Sequence, residues 1–407
     1  MKPLAAALVL ALLALAAACK AQEEAPPTVH PTATPSPIPS TGATPAIPRA
    51  ARAIFLAGAT KTYPPSGELW ISNLDGSGRR QLTPPGVMAA FAGTLPAKSG
   101  GLLIYYVSQD SETGNTLWDL DEETGERTAL IEFRTETFHV GEAAVSPSGR
   151  YIAYVHRGGL TLLDRANGES SLLLAGSPCE GTPAGRCVYY REPKWSPDGT
   201  LLMVARGFYE GGTVTLVDPF SQPPREIMEA ESGEGPFLAE WSPSGDRFCA
   251  HGRYATSSGL YVAEEPDWSL VNLLPDYEPP NPNDMLPIER GVVDCGWLDS
   301  QRILFTAIEV NHLTPYAASP PVRHELMLFN LADGSSRQVA LLPGRAEGDN
   351  TTSQPILLMA DGVVIVQRIS YPPDVSRTGQ AELIDPETGG RRPILQDGDW
   401  LLAVVRP

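Results

Sequence analysis

Seven times between residues 69 and 385 the chain repeats one short phrase: a few strand-forming residues, then Asp, Asn or Glu, then a turn. The copies are Leu69-Trp-Ile-Ser-Asn73, Leu117-Trp-Asp-Leu-Asp121, Leu160-Thr-Leu-Leu-Asp164, Val214-Thr-Leu-Val-Asp218, Leu260-Tyr-Val-Ala-Glu264, Leu326-Met-Leu-Phe-Asn330 and Ala381-Glu-Leu-Ile-Asp385. Their start-to-start spacings are 48, 43, 54, 46, 66 and 55 residues. A unit of that size cannot bury its own apolar face, so it must stack on its neighbours. A period near 50 built from short strands therefore marks a radial all-β array.

A second signature precedes several copies: Val145-Ser-Pro-Ser-Gly-Arg150, Trp195-Ser-Pro-Asp-Gly-Thr200 and Trp241-Ser-Pro-Ser-Gly-Asp246, with a worn form at Trp297-Leu-Asp-Ser-Gln301. Pro presets φ at the corner, and Gly takes the positive φ that closes it. An apolar residue enters each turn and an alternating strand leaves it, which is a tight hairpin. The seven-fold phrase adds a third strand, its turn and a fourth, so each unit reads as a four-stranded antiparallel blade. These motifs resemble the TolB-type propeller repeat, related to the Trp-Asp propellers. The resemblance runs from about residue 52 to residue 400 and implies a β-propeller. Seven phrases give seven blades, but only one strand, Ala53 to Ala59, precedes the first. Trp400-Leu-Leu-Ala-Val-Val405 is available to supply its inner strand and leave no open edge. Six blades with a ragged start is the alternative.

The chain opens with Met1-Lys2-Pro3, an apolar run from Leu4 to Ala18, and Cys19. One charge, about 15 apolar residues and small residues before a cut site describe a secretory leader too short to span a bilayer comfortably. The Cys resembles the lipidated residue of a bacterial lipoprotein, so residues 1–19 read as a signal ending at an acylated Cys19. Ala16-Ala17-Ala18 equally suits an ordinary signal peptidase and a soluble secreted product. Residues 20–50 are Pro- and Thr-rich, with Pro26-Pro27-Thr28 and Thr34-Pro35-Ser36-Pro37. Such a stretch cannot bury enough apolar surface to offset its ordering entropy, and it reads as an extended tether. Residues 51–407 are the propeller domain. The formal net charge of −18 argues against nucleic acid and against electrostatic docking on anionic lipid.

Cys179 and Cys187 bracket a seven-residue loop and are expected to pair in an oxidising compartment. Cys249 and Cys295 fall on strands of consecutive repeats, either as small apolar packing or as a cross-blade bond. No Cys-x-x-Cys exists, so a zinc site is not indicated.

Blade connections alternate between two faces, and the long ones collect on one of them, the usual place for recognition. Tyr63, Tyr209, Tyr254, Tyr277, Tyr316 and Tyr371 belong to those stretches, several beside Pro pairs. Tyr offers large amphipathic contact area at low entropy cost, so these six are the candidate ligand-binding residues. They also suit packing back onto the blades. The chain carries no G-x-S-x-G, P-loop, G-x-G-x-x-G or H-E-x-x-H. Glu142, Glu192 and Glu240 share a repeat position within three or four residues of a Ser-Pro turn and are the weak catalytic candidates. Their structural alternative is capping or strand-pairing charge. Asp119-Leu-Asp121 and Asp361 lack the spaced oxygens of a calcium loop, so neither metal nor cofactor is called for. The acidic residues ending the seven phrases are turn formers.

These features point to a monomeric, membrane-tethered, extracytoplasmic propeller. It would act as a binding or scaffold module for an envelope protein, peptide or glycan, with no nucleic acid. A propeller hydrolase or lyase with channel carboxylates is the alternative. A propeller half of an oligopeptidase-like enzyme, working with a separate hydrolase chain, is a third reading.

Overall fold

The computed structural model describes residue 45 and residues 51–57, 67–98, 101–110, 114–133, 143–156, 159–177, 187–208, 211–229, 238–252, 259–274, 288–311, 322–345, 352–360, 363–371, 377–395 and 399–405. They form seven four-stranded antiparallel sheets, the blades of a closed seven-bladed propeller. Blades 2 to 7 each use four consecutive strands, spanning Met88–Phe133, Ala143–Ala175, Tyr189–Glu229, Leu238–Asn272, Ile288–Arg345 and Thr352–Ile394. Blade 1 takes three strands from Arg52–Gln81 and its innermost from Trp400–Val405. Arg52 faces Val405 and Leu56 faces Trp400 in that ladder. The chain's last strand thus closes the ring as the sequence pattern required. Six blades are excluded.

Hydrophobic packing explains the closure. Among the described residues seven clusters of buried residues occur, one at each seam between adjacent blades. Phe248, Trp268 and Leu216 fill the seam of blades 4 and 5, and Ile54, Tyr106 and Trp400 that of blades 1 and 2. Phe55, Ile365 and Leu401 fill the seam of blades 7 and 1. Each blade therefore buries both faces, which alternating strands achieve only when a neighbour lies on either side. Gln367, buried in blade 7, locks the last seam by donating to the Asp399 carbonyl and accepting from the Leu401 N–H.

The Ser-Pro turns behave as their composition demands. In all three the Gly N–H donates to the Ser carbonyl, and Gly149, Gly199 and Gly245 adopt φ of 71°, 72° and 79°. The Ser is a further fastener: its buried hydroxyl accepts from the N–H five residues on, at 3.0 Å for Tyr151 and 2.9 Å for Leu201. Among the seven-fold phrases, Asp121, Asp164, Asp218, Asn330 and Asp385 accept backbone N–H bonds from their own turns. Blade 1 shifts that duty to Asp75, and Glu264 pairs with Arg247 instead. Asp119 binds Arg165 at 2.8 Å and joins blade 2 to blade 3.

Connections on one face span six residues or fewer, the longest being 74–79, 196–201, 219–224, 265–270 and 385–390. Those leaving the opposite face reach fifteen residues, between Asn272 and Ile288. Among the described residues no helix is long and apolar enough to cross a membrane.

Candidate functional site

The inner strands divide the ring's centre into two unlike arcs. In blades 1, 2, 3 and 7 the described inner strands read WLLAVV, MAAFAGTLP, AAV and TSQPILLMA, with no ionisable side chain. In blades 4, 5 and 6 they read YYREPKW, LAEW and IERGVVDCGW. Every ionisable residue of the described inner strands is therefore on three adjacent blades.

Register explains how those residues converge. Lys194 and Glu240 each stand one place before the Trp that ends an inner strand. Bulges in blade 4, between Arg191 and Lys194, and in blade 6, between Val292 and Asp294, re-aim the residues beside them. Glu192 sits in the first bulge at φ 49°, a left-handed conformation unusual for a residue with a Cβ. Three indoles hold the seams: Trp195 Nε1 donates to the Ala144 carbonyl, Trp241 to that of Lys194 and Trp297 to that of Glu240, all at 3.0–3.1 Å.

Lys194 is the centre of the cluster. Its ammonium pairs with Glu240 and donates to the Ala239 carbonyl at 3.0 Å. Burial, the largest single influence, disfavours its charge. The carboxylates of Glu240, Glu192 and Asp294 outweigh that and hold its pKa above the ordinary lysine value. Asp294 accepts the Leu357 N–H of blade 7 through Oδ2 at 2.7 Å, and its Oδ1 lies 3.8 Å from His251 Nε2. Burial, reinforced by Glu240, pushes Asp294 up to about 7, with the Leu357 bond and Lys194 opposing. His251 ends the second strand of blade 5 and is 3% exposed. Burial pushes it down to about 4, so near neutrality the ring is uncharged. Its Nδ1 contacts the Gly252 carbonyl at 3.0 Å, which makes Nδ1 the donor and leaves Nε2 an acceptor facing Asp294. A carboxyl and an imidazole with pKa values displaced in opposite directions can exchange a proton with a bound group.

Cys249 and Cys295 lie beside this cluster as buried free thiols in the seam of blades 5 and 6. Burial first, and then its contact with Cys249, raises the Cys295 pKa. The packing alternative read from the sequence is the observed one. Cys187 is buried, and Cys179 lies outside the described residues. So do Cys19 and Glu142.

Of the sequence candidates, Glu192 and Glu240 are brought together around Lys194. Tyr63, Tyr254, Tyr277 and Tyr316 lie outside the described residues, though the strand ends flanking each belong to the long-connection face. Tyr209 lies outside them too, but its flanking strands leave only residues 209–210 between them, not the long connection expected. Tyr371 is the last residue of a strand, opposite Thr352, where the sequence placed a loop. His324 likewise sits on a ladder, opposite Ile308, and is buried. Sequence reasoning missed Lys194 and Asp294. The available signal was their placement, one and three residues before a strand-ending Trp. A groove of about 830 Å³ on the outer rim, lined by Leu173, Ser221, Pro223 and Arg225 among others, is built from other strands. Among the described residues no group of His, Cys, Asp and Glu is arranged to hold a metal ion.

Solved structures share this architecture. The periplasmic gluconolactonase PpgL of Pseudomonas aeruginosa aligns with a TM-score of 0.52 at 15% identity, covering 88% of this chain and 100% of that one. An oligogalacturonate lyase from Vibrio parahaemolyticus gives 0.51 at 11% identity, over 86% of each chain. TolB from Acinetobacter baumannii matches with a TM-score of 0.42 at 13% identity, over 74% of this chain and 66% of its own. The likeness is one of fold. No family model and no curated protein matches the sequence.

Proposed function

We propose that the protein is an extracytoplasmic binding propeller. Its lipidated Cys19 and residues 20–50 tether it to the membrane, and its long-connection face holds an envelope protein, peptide or glycan. One observation carries this reading: every connection on one face spans six residues or fewer, and all the longer ones leave from the other. A rigid ring with an economical underside and an elaborated rim is built to present loops. The protein acts as a monomer, since both faces of every blade are already covered within one chain. A Cys179–Cys187 bond would tie down one of the long links. The bonded state of Cys187 supports that pairing. Combined Ala replacement of Tyr277, Tyr316 and Tyr371 should abolish capture of the envelope partner in pull-downs while leaving the thermal transition in place. Undiminished capture would overturn the proposal.

The second reading, a hydrolase or lyase, is favoured by a different observation. Asp294 and His251 stand 3.8 Å apart with displaced pKa values, as a general acid and base pair would. Hydrolytic or eliminative turnover of an envelope glycan that Asp294→Asn removes would establish it.

A further inference from the structure

The cluster around Lys194 is not electrically balanced. Three carboxyl groups, Glu192, Glu240 and Asp294, act on the single ammonium of Lys194, while the neighbouring His251 is neutral near pH 7. Lys194 is thereby already engaged, so an anionic ligand finds no vacant cation there. Glu240 is 48% exposed and Asp294 20% exposed at the side chain, so their oxygens remain reachable.

An independent observation lies next to Asp294. Thr306 stands directly opposite it in the ladder, on the same face of blade 6. The Thr306 hydroxyl is fully buried and has no hydrogen-bond partner among the described residues. A buried hydroxyl without a partner costs about 1–3 kcal/mol, so the ladder position beside Asp294 carries an unmet demand for a polar group. Across the ring, the described inner-strand residues of blades 7, 1, 2 and 3 carry no charge.

We infer that the charged arc receives an ammonium or guanidinium group from a ligand whose remaining body is apolar. The cation seats against Asp294 and Glu240, and the body lies along the uncharged arc. This rests on the binding-propeller reading and names the chemistry its centre selects. The groups acting on or lying beside Asp294 are Glu240 on the inner strand of blade 5, Lys194 on that of blade 4, His251 on the second strand of blade 5, and Thr306 opposite it in the ladder. From blade 7 comes the Leu357 N–H. Within that set the arriving cation favours the charged form of Asp294, so binding releases its proton.

Calorimetric titration of the full-length protein with hexylammonium, with hexanoate, and with capped Leu-Lys-Leu and Leu-Gln-Leu peptides tests this. Hexylammonium or the Lys peptide, or both, should bind, and hexanoate and the Gln peptide should not. Which of the two cations binds more tightly separates a free amine from a basic side chain as the natural source. Affinity should rise several-fold between pH 5.5 and 8 as Asp294 becomes easier to ionise. Asp294→Asn, which keeps an acceptor for Leu357, should weaken binding about tenfold and flatten that pH dependence. Lys194→Gln should instead tighten cation binding, because it removes the competing charge. A merely structural Lys194 would give weaker binding or none. Hexanoate binding as well as hexylammonium, or an unchanged affinity in Asp294→Asn with an intact thermal transition, would overturn the inference. The Tyr277, Tyr316 and Tyr371 variant should keep its amine affinity. Loss of partner capture there with amine binding intact separates the outer face from the inner ring. Capture without amine binding sinks the ring site alone.

Discussion

Blades 7, 1, 2 and 3 and blades 4, 5 and 6 meet the same packing requirement with different inner strands. Both arcs close their seams with alternating apolar residues, so strand pairing and burial do not distinguish them. The difference is what crosses each seam. Where the inner edge is uncharged, apolar contact, the Gln367 lock and ion pairs away from the centre, such as Asp119–Arg165 and Arg52–Glu122, hold neighbouring blades together. Where it carries charge, a Trp indole reaches the carbonyl of the preceding blade, three times in succession. Burying charge at those seams carries a desolvation cost, and a directional bond at a fixed repeat position offsets part of it. The lesson is that a propeller can concentrate chemistry on one arc and leave closure to the other.

If closure belongs to the uncharged arc, removing residues 399–407 should have the largest effect. The lost strand buries Trp400, Leu401, Val404 and Val405. At roughly 1.5–3 kcal/mol per side chain this approaches the whole stability of a typical domain. Calorimetry should show no cooperative transition. A truncated protein melting within a few degrees of the full chain would mean that the ring does not need closing.

The charged arc should instead announce itself through pH. Asp294 is raised from the ordinary aspartate value of 3.8 to about 7, so the folded state binds its proton more tightly than the unfolded chain. Its contribution to stability falls as pH rises from about 4 to about 7. His251 is lowered from 6.5 to about 4, so its contribution falls as pH drops from about 6.5 to 4. Between pH 4 and 6.5 the two slopes oppose, and the native protein should show a nearly level profile. Each variant should unmask the other. Asp294→Asn should gain stability with rising pH across that window, and His251→Gln should lose it, each by a few kcal/mol. Denaturant titrations at pH 4.5, 5.5 and 6.5 measure this, and parallel profiles in both variants would break the coupling.

A smaller effect should follow from the seam bonds. Trp241→Phe removes the donor to the Lys194 carbonyl and part of the packing on Phe248 and Trp268. A loss of about 2 kcal/mol is expected. A loss no larger than that of a surface substitution would show that the indoles fill space rather than clamp.

The blades were legible because their signals are local. A Ser-Pro-x-Gly corner, an alternating strand and an acidic turn former each act within about ten residues, and the spacing of the copies supplied the ring. The count was not settled locally, since pairing Trp400 to Val405 with Arg52 to Leu56 spans the whole chain. The central cluster was half legible. Glu192 and Glu240 follow from repeat position. Lys194, His251 and Asp294 meet only because three blades converge, and two bulges break the alternation that would have placed them. Strand lengths failed where a ladder continues past the apolar pattern: Tyr371 reads as part of a long connection, yet it is paired.

The mildest test lies on the short-connection face, which both arcs share. Asp385 Oδ1 accepts the Glu387 N–H at 2.8 Å and the Thr388 N–H at 3.2 Å, and those bonds hold its carboxyl below the usual range against the opposing effect of burial. Asp164 does the same work in blade 3 and adds a pair with Arg150. Asp385→Ala should cost about 1 kcal/mol, the worth of a turn bond, and leave partner capture and amine affinity unchanged. Its stability deficit should begin to shrink as pH falls below about 4 and continue shrinking through the lower native value, where the folded carboxylate takes up its proton as well. Since blade 7 belongs to the uncharged arc, a change in amine affinity from this substitution would mean that the two arcs are mechanically coupled through the short-connection face, and their separation would no longer hold.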